Sequence, residues 1–136
     1  MKPTILIVDD HAMNLKLATE LLMLEGCDVL TAIDAEAAQE ILDSSIPDLI
    51  LMDLALPGMD GLTLTRKLKA QTRFQRVPIV ALTASAMKGD QQRAFAAGCN
   101  GYITKPIDTR SFGGTVLGFL PAAVRTGFDE EKGSSP

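Results

Sequence analysis

Five short apolar runs punctuate the chain: TILIV at 4–8, DVLTA at 28–32, DLILM at 48–52, PIVAL at 78–82 and GYITK at 101–105. They are β-branched or continuously apolar and lack polar alternation, the pattern of strands covered on both faces. The stretches between them are each long enough for one helix. From Asn14 to Glu25, Leu17, Ala18, Leu21 and Leu22 share a face, and Gly26 supplies a stop. Asp34 is placed to cap AEAAQEIL, Asp60 to cap GLTLTRKLKA, and Gly98 to end QQRAFAA. The alternation reads βαβαβαβαβα and predicts an α/β domain, a five-stranded parallel sheet doubly wound by five helices.

The fifth helical stretch, DTRSFGGTVLGFLPAAV, departs from this regularity. It holds Gly113, Gly114 and Gly118, with Pro121 after them. Each interior glycine costs about 1 kcal/mol relative to alanine. A frayed or mobile element is expected there. The domain is expected to occupy residues 1–125, and TGFDEEKGSSP, at 126–136, to be a polar, disordered tail.

Composition narrows the function classes. A chain of 136 residues, 46% hydrophobic, has room for one ordinary core and no second module. A formal net charge of −4 without any Lys/Arg cluster argues against a DNA or anionic-membrane surface. The start, MKPTILIVDD, carries an apolar run too short for a signal-peptide core or a membrane span, so a cytoplasmic protein without membrane insertion is expected. Cys27 and Cys99 lack metal-ligand spacing and the chain has one histidine, which points to reduced packing residues rather than zinc.

In open α/β sheets ligands bind beyond the carboxyl ends of the strands, where strand order reverses. At those ends the chain places Asp9-Asp10, Asp53, Thr83 and Lys105-Pro106. Asp53 closes an apolar run, and a buried carboxylate needs a partner. If the first and third strands are neighbours, three carboxylates meet and raise one another's pKa. Few, hard oxygen ligands suit Mg²⁺. Lys105 adds a positive charge and Thr83 a hydroxyl. This set is equipped to accept a phosphoryl group, with Asp53 as nucleophile forming an acyl phosphate and cationic groups neutralising the equatorial oxygens. Ala55 contributes only a backbone carbonyl, which suffices as a further metal ligand. Pro57-Gly58 is a turn signal that would redirect the chain so that this carbonyl faces the metal. His11, at a helix start, is expected to face solvent and is assigned no chemistry.

The segments ILIVDD, DLILMDLALPGMDG, PIVALTA and YITKP, in that order, resemble the receiver (response-regulator) family of two-component signalling. The resemblance spans residues 4 to about 120. DDHAMNLKL and TASAMKGDQQRAFAAGCNGYITKPI are most similar to stand-alone receivers of the DivK type. The resemblance implies strand order 2-1-3-4-5 and Asp53 as phosphoacceptor. It implies Mg²⁺ held directly by Asp10, Asp53 and the Ala55 carbonyl, and by Asp9 through water. Thr83 would bond the phosphoryl oxygen, Lys105 would pair with it, and Pro106 would form a cis bond that aims Lys105. Tyr102 looks like the family's aromatic switch, turning inward when Thr83 moves. The implied partners are a histidine kinase or phosphotransfer protein and downstream proteins at the face of the fourth helix, fifth strand and fifth helix. A single-domain monomer or weak dimer follows. Ala84 should leave the acceptor accessible, and Ala55 and Ser85, at positions resembling the family's lifetime-tuning sites, offer no acid to position water, so slow phosphoryl loss is expected.

Three rivals are weaker. An aspartyl-phosphate phosphatase needs a second acid two residues after its nucleophile, where Ala55 stands. The chain is therefore not expected to be an enzyme beyond catalysing its own phosphorylation and dephosphorylation. A flavin module wants a Ser/Thr/Gly-rich loop where Asp9-Asp10 stands. A receiver that only docks, without phosphorylation, would not need Asp10, Asp53, Thr83 and Lys105 together.

Overall fold

The computed structural model describes residues 2–84 and 87–125. The expected tail at 126–136 and Ser85 lie outside the described residues. The elements are β1 (Thr4–Val8), α1 (Ala12–Leu24), β2 (Asp28–Ala32), α2 (Ala35–Ser44), β3 (Leu49–Asp53), α3 (Gly61–Lys69), β4 (Ile79–Thr83), α4 (Lys88–Ala97), β5 (Gly101–Thr104) and α5 (Phe112–Gly118). A 3₁₀ turn at Thr72–Phe74 precedes β4, and residues 122–125 are helical. The sheet is wholly parallel in the order β2-β1-β3-β4-β5, as the resemblance implies.

Strand periodicity explains the layers. Leu6, Val8, Ile50, Met52, Ile79 and Ala81 point to one face and pack on Ala38 and Leu42 of α2, Leu64 and Leu68 of α3, and Ala94 of α4. Ile5, Ile7, Leu49, Leu51, Val80 and Leu82 point to the other and pack on Ala18 and Leu22 of α1 and Phe112 and Val116 of α5. Because both faces are covered, the strands read as continuous apolar runs, since successive side chains alternate between two cores. The third and fourth strands run one residue later than expected. Each therefore ends on a polar side chain, Asp53 or Thr83, held by the sheet itself. The fifth ends at Thr104, one residue before Lys105.

Helix ends follow the sequence signals. Asp34 Oδ1 accepts from the Ala37 N–H and Asp60 Oδ1 from the Thr63 N–H, both at 2.8 Å. Gly98, at φ 111°, stops α4 in the left-handed conformation that side chains avoid. Gly61, the first residue of α3, faces the backbone carbonyl of Asp53 so closely that a Cβ there would run into it. Glycine thus lets α3 start against the end of β3. Cys27 and Cys99 are buried free thiols in packing positions, and burial pushes the Cys99 thiol pKa up, which keeps it protonated. Among the described residues no helix is long and apolar enough to cross a membrane.

The fifth helix corrects the sequence expectation. It forms, anchored by Phe112, Val116 and the following Leu120, all buried in the α1-side core. Gly113 has a packing reason: a Cβ there would lie 2.6 Å from Glu25 Cγ, at the end of α1. The helix is short, seven residues, because burial of these anchors offsets poor propensity over only two turns. Gly114 faces open space.

Two outcomes follow for stability. Gly114→Ala is expected to raise resistance to urea by up to about 1 kcal/mol, and Gly113→Ala to gain less, because its Cβ obliges the Glu25 side chain to move aside; equal effects would show that the contact with Glu25 is not what selects glycine. Asp60→Ala is expected to cost about 1 kcal/mol at neutral pH through the lost cap. The Thr63 backbone N–H holds the Asp60 carboxyl below its ordinary 3.8. The cap's contribution is therefore whole above that value and lost as pH falls through the lower native one, so wild type and variant should converge in acid.

Candidate functional site

The two-residue alternation that divides the cores also aims the polar side chains beyond them. Asp9 continues Ile5 and Ile7, Asp53 continues Leu49 and Leu51, and Lys105 continues Ile103, so all three emerge on the α1/α5 side, from the adjacent strands β1 and β3 and from β5 beyond β4. Asp9 and Asp53 are 0% and 1% exposed. Each bends its carboxylate back on its own chain: Asp9 Oδ1 accepts from the His11 N–H and Asp53 Oδ1 from the Ala55 N–H, both at 2.9 Å. These Asx turns fix both carboxylates in place before any ligand arrives.

The remaining oxygens define the electrostatic problem. Lys105 Nζ lies 3.2 Å from Asp53 Oδ2, which accepts a hydrogen bond from it, and 3.3 Å from Asp9 Oδ2. Among the described residues Asp9 Oδ2 has no hydrogen-bond partner, so its approach to Lys105 is an ion pair without hydrogen-bond geometry. Asp10, more exposed, brings a third carboxylate to the same point. One ammonium therefore faces three carboxylates. Buried like charges are mutually unfavourable, and a buried oxygen without a partner is costly. Ligand atoms of Asp9, Asp10, His11 and Asp53 all lie within 4.8 Å of one another. Clustered carboxylate oxygens with one orphaned atom are the donor set a hard divalent cation requires.

His11 is solvent-exposed, as the sequence predicts, with one feature the sequence did not show. Its side chain is 62% exposed, yet the ring turns to the carboxylates: Nδ1 is 3.2 Å from Asp9 Oδ1, 3.2 Å from Asp10 Oδ1 and 3.9 Å from Asp53 Oδ2. The Asx turn at Asp9 causes this, because it curls the backbone of His11 over the pocket just before α1 begins.

Of these carboxylates Asp53 opens onto a cleft of about 550 Å³ whose walls include His11, Ala55, Thr83, Ala84, Arg93 and Lys105. Thr83 sits half-buried at the end of β4, and its carbonyl accepts from the Lys105 N–H at 2.7 Å. The Lys105–Pro106 bond is cis. Tyr102 is not in this cleft. It is half-buried on the opposite face of the sheet, packed against the α2/α3/α4-side core, with its ring edge-to-face against Phe95 of α4 at 6.0 Å and 79°. Thr83 continues Ile79 and Ala81 onto that same face, and Tyr102 pairs in register with Ala81. Phe95 escaped the sequence reading. Its only signal was an aromatic residue within the polar helix QQRAFAA, and it is 48% exposed. Arg93, two residues earlier on α4, was also missed; it reaches the cleft wall while paired with Asp90.

Known proteins agree with this geometry. The family model described as the response regulator receiver domain matches residues 5–115. The polar-differentiation response regulator DivK of Brucella anthropi is 37% identical over 120 residues, covering 88% of this chain and 98% of that protein. The DivK of Brucella ovis matches to the same extent. Among solved structures, the chemotaxis response regulator CheY4 of Vibrio cholerae superposes with a TM-score of 0.85 at 25% identity, covering 88% of this chain and all of that one. A two-component response regulator from Clostridium difficile gives 0.79 at 26% identity, covering 87% and 95% of the two chains. With the expected strand order in place and an acidic pocket at the point where that order reverses, the chain belongs to the response regulator receiver family.

Proposed function

We propose that the protein accepts a phosphoryl group from a histidine kinase, or from a histidine phosphotransfer protein, onto Asp53, in a Mg²⁺-dependent reaction, and signals by phosphorylation-dependent protein binding. The observation that carries this reading is the Asp53 carboxylate, buried on all sides but one, facing an open cleft with the Lys105 ammonium 3.2 Å from Oδ2. One carboxylate oxygen forms a bond to phosphorus while the phosphorus–nitrogen bond of the donor breaks, and the electron pair leaves with the donor's imidazole nitrogen. The Ala55 N–H holds the carboxylate plane, and Lys105 meets the charge on the arriving oxygens. Asp10, Asp53 and the Ala55 carbonyl would hold Mg²⁺ directly, with Asp9 acting through water. When bound, the ion supplies the positive charge that the carboxylates lack and neutralises the equatorial oxygens.

The product carries about −1.5 to −2 charge and new acceptor oxygens, which draw the Thr83 hydroxyl toward Asp53. Thr83 shares a sheet face with Tyr102, so its displacement opens space on the side where the tyrosine packs. The consequence is a shift between two arrangements of the α4–β5–α5 face, where the downstream partner binds. Ala55 occupies the place of a phosphatase's second acid, which favours a switch over an enzyme that turns over external substrates. The cytoplasm is the compartment in which such a donor and such an output would meet.

Incubation with acetyl phosphate and Mg²⁺ is expected to add one phosphoryl group by intact mass, absent after chelation of the metal and absent in Asp53→Ala. An unlabelled wild-type protein at saturating donor and Mg²⁺ would overturn the assignment. The phosphorylated state is expected not to decay especially fast after donor removal, since neither Ala55 nor Ser85 offers an acid to position water; a half-life of seconds with Mg²⁺ would contradict that reading of the pocket.

A further inference from the structure

His11 is a residue to which neither the pocket's carboxylate chemistry nor the proposed phosphoryl transfer assigns a part. Its position is nonetheless specific. It occupies the N-cap of α1 but makes no side-chain cap, so the ring is not engaged with the helix. Nδ1 instead lies 3.2 Å from one oxygen each of Asp9 and Asp10 and 3.9 Å from Asp53 Oδ2. Adjacent ligands around an octahedral ion with bonds near 2.1 Å are about 3.0 Å apart, and opposite ones about 4.2 Å. The separation from Asp10 Oδ1 thus matches neighbouring vertices of one coordination sphere and that from Asp53 Oδ2 falls between neighbouring and opposite, while Asp9, acting through water, stays outside that sphere. A second observation points independently to a ligand at this spot. Asp9 Oδ2 is fully buried, lacks a hydrogen-bond partner among the described residues, and belongs to the carboxylate that the imidazole abuts.

We infer that His11 Nδ1 is a ligand of this cation site, so that the pocket takes a first-row transition-metal dication such as Co²⁺ in preference to Mg²⁺, by a margin this side chain sets. The inference rests on the reading of the pocket as a divalent-cation site and deepens it. Mg²⁺ is hard, holds its waters and gains little from imidazole, whereas Co²⁺ and Ni²⁺ bind imidazole well and rise in the Irving–Williams order. In the geometry described, Nδ1 faces carboxylate oxygens of Asp9 and Asp10. On ligation the ring proton resides on Nε2, and the Nδ1 lone pair is given to the ion. The exposure of the ring makes this movement inexpensive, because no packed neighbour must yield.

The test is calorimetric titration of the full chain with MgCl₂ and, separately, with CoCl₂, for wild type, His11→Asn and Asp10→Asn. Asparagine is a good N-cap residue, so His11→Asn preserves the start of α1. The expected result is a loss of about tenfold or more in Co²⁺ affinity for His11→Asn, with Mg²⁺ affinity changed by less than about threefold. Asp10→Asn should weaken both ions. The visible ligand-field bands of bound Co²⁺ should shift between wild type and His11→Asn. His11 is the chain's one histidine, so no other imidazole can supply such a signal. If Co²⁺ and Mg²⁺ affinities fall together in His11→Asn, or neither moves, the nitrogen ligand is refuted while the cation site stands. If wild type binds neither ion, the cation site is refuted, and the Mg²⁺-dependent reading of the pocket with it.

Discussion

The interaction on which the site depends is the sharing of one ammonium, that of Lys105, between two buried carboxylates, Asp9 and Asp53, at 3.3 and 3.2 Å. A single positive charge cannot neutralise both, and Asp10 adds a third negative group at the pocket's edge. Burial normally resolves such a conflict by protonating a carboxylate or by pairing it completely. Here the pairing is incomplete: among the described residues one oxygen of Asp9 is left without a hydrogen bond. The imbalance leaves an acidic cluster that could hold a cation, with Lys105 within reach of both buried carboxylates.

The fold produces this arrangement through strand alternation. On β1, β3 and β5 the parity that faces α1 and α5 carries apolar Ile5, Ile7, Leu49, Leu51 and Ile103, and continues to Asp9 just past β1, Asp53 as the last residue of β3 and Lys105 just past β5. The sheet order brings β1 and β3 together without an intervening strand, so the acidic ends are adjacent. Gly61 then admits α3 close to the Asp53 carbonyl, which closes one side of the pocket with backbone rather than side chain. Burial of the reactive carboxylate is thus a by-product of where the core stops.

Much of this was legible in the chain. The five apolar runs found the five strands, because a sheet covered on both faces requires continuous hydrophobicity. Asp34 and Asp60 marked helix starts through a local rule that tertiary structure did not override. The strand-end residues Asp9, Asp53 and Lys105 converge as expected. What the chain hid depends on contacts between distant segments. Gly113 reads as a helix breaker until Glu25, 88 residues earlier, is seen to occupy the space of its missing Cβ. His11 reads as a solvated cap until the Asx turn at Asp9 rotates it over the pocket. Phe95 shows only as an aromatic residue in a polar helix, since its edge-to-face partner Tyr102 lies on another element.

The two faces of the sheet also separate the acidic pocket from the Phe95–Tyr102 contact. Asp9, Asp53 and Lys105 stand on the α1/α5 side, whereas Thr83 follows Ile79 and Ala81 to the side of α2, α3 and α4, with Tyr102 beside them. Thr83 nevertheless contributes to the wall of the cleft, because the last residue of a strand can reach around the sheet's end. It is the element common to both sides. In the proposed switch a phosphoryl group on Asp53 acts on the far face only through that residue, and the far face answers through the Phe95–Tyr102 contact joining α4 to β5. An aromatic edge-to-face pair contributes about 0.5–1.5 kcal/mol beyond its buried area. A contact of that size is large enough to bias which arrangement predominates, and small enough for one threonine hydroxyl, pulled by a dianion, to reverse the bias.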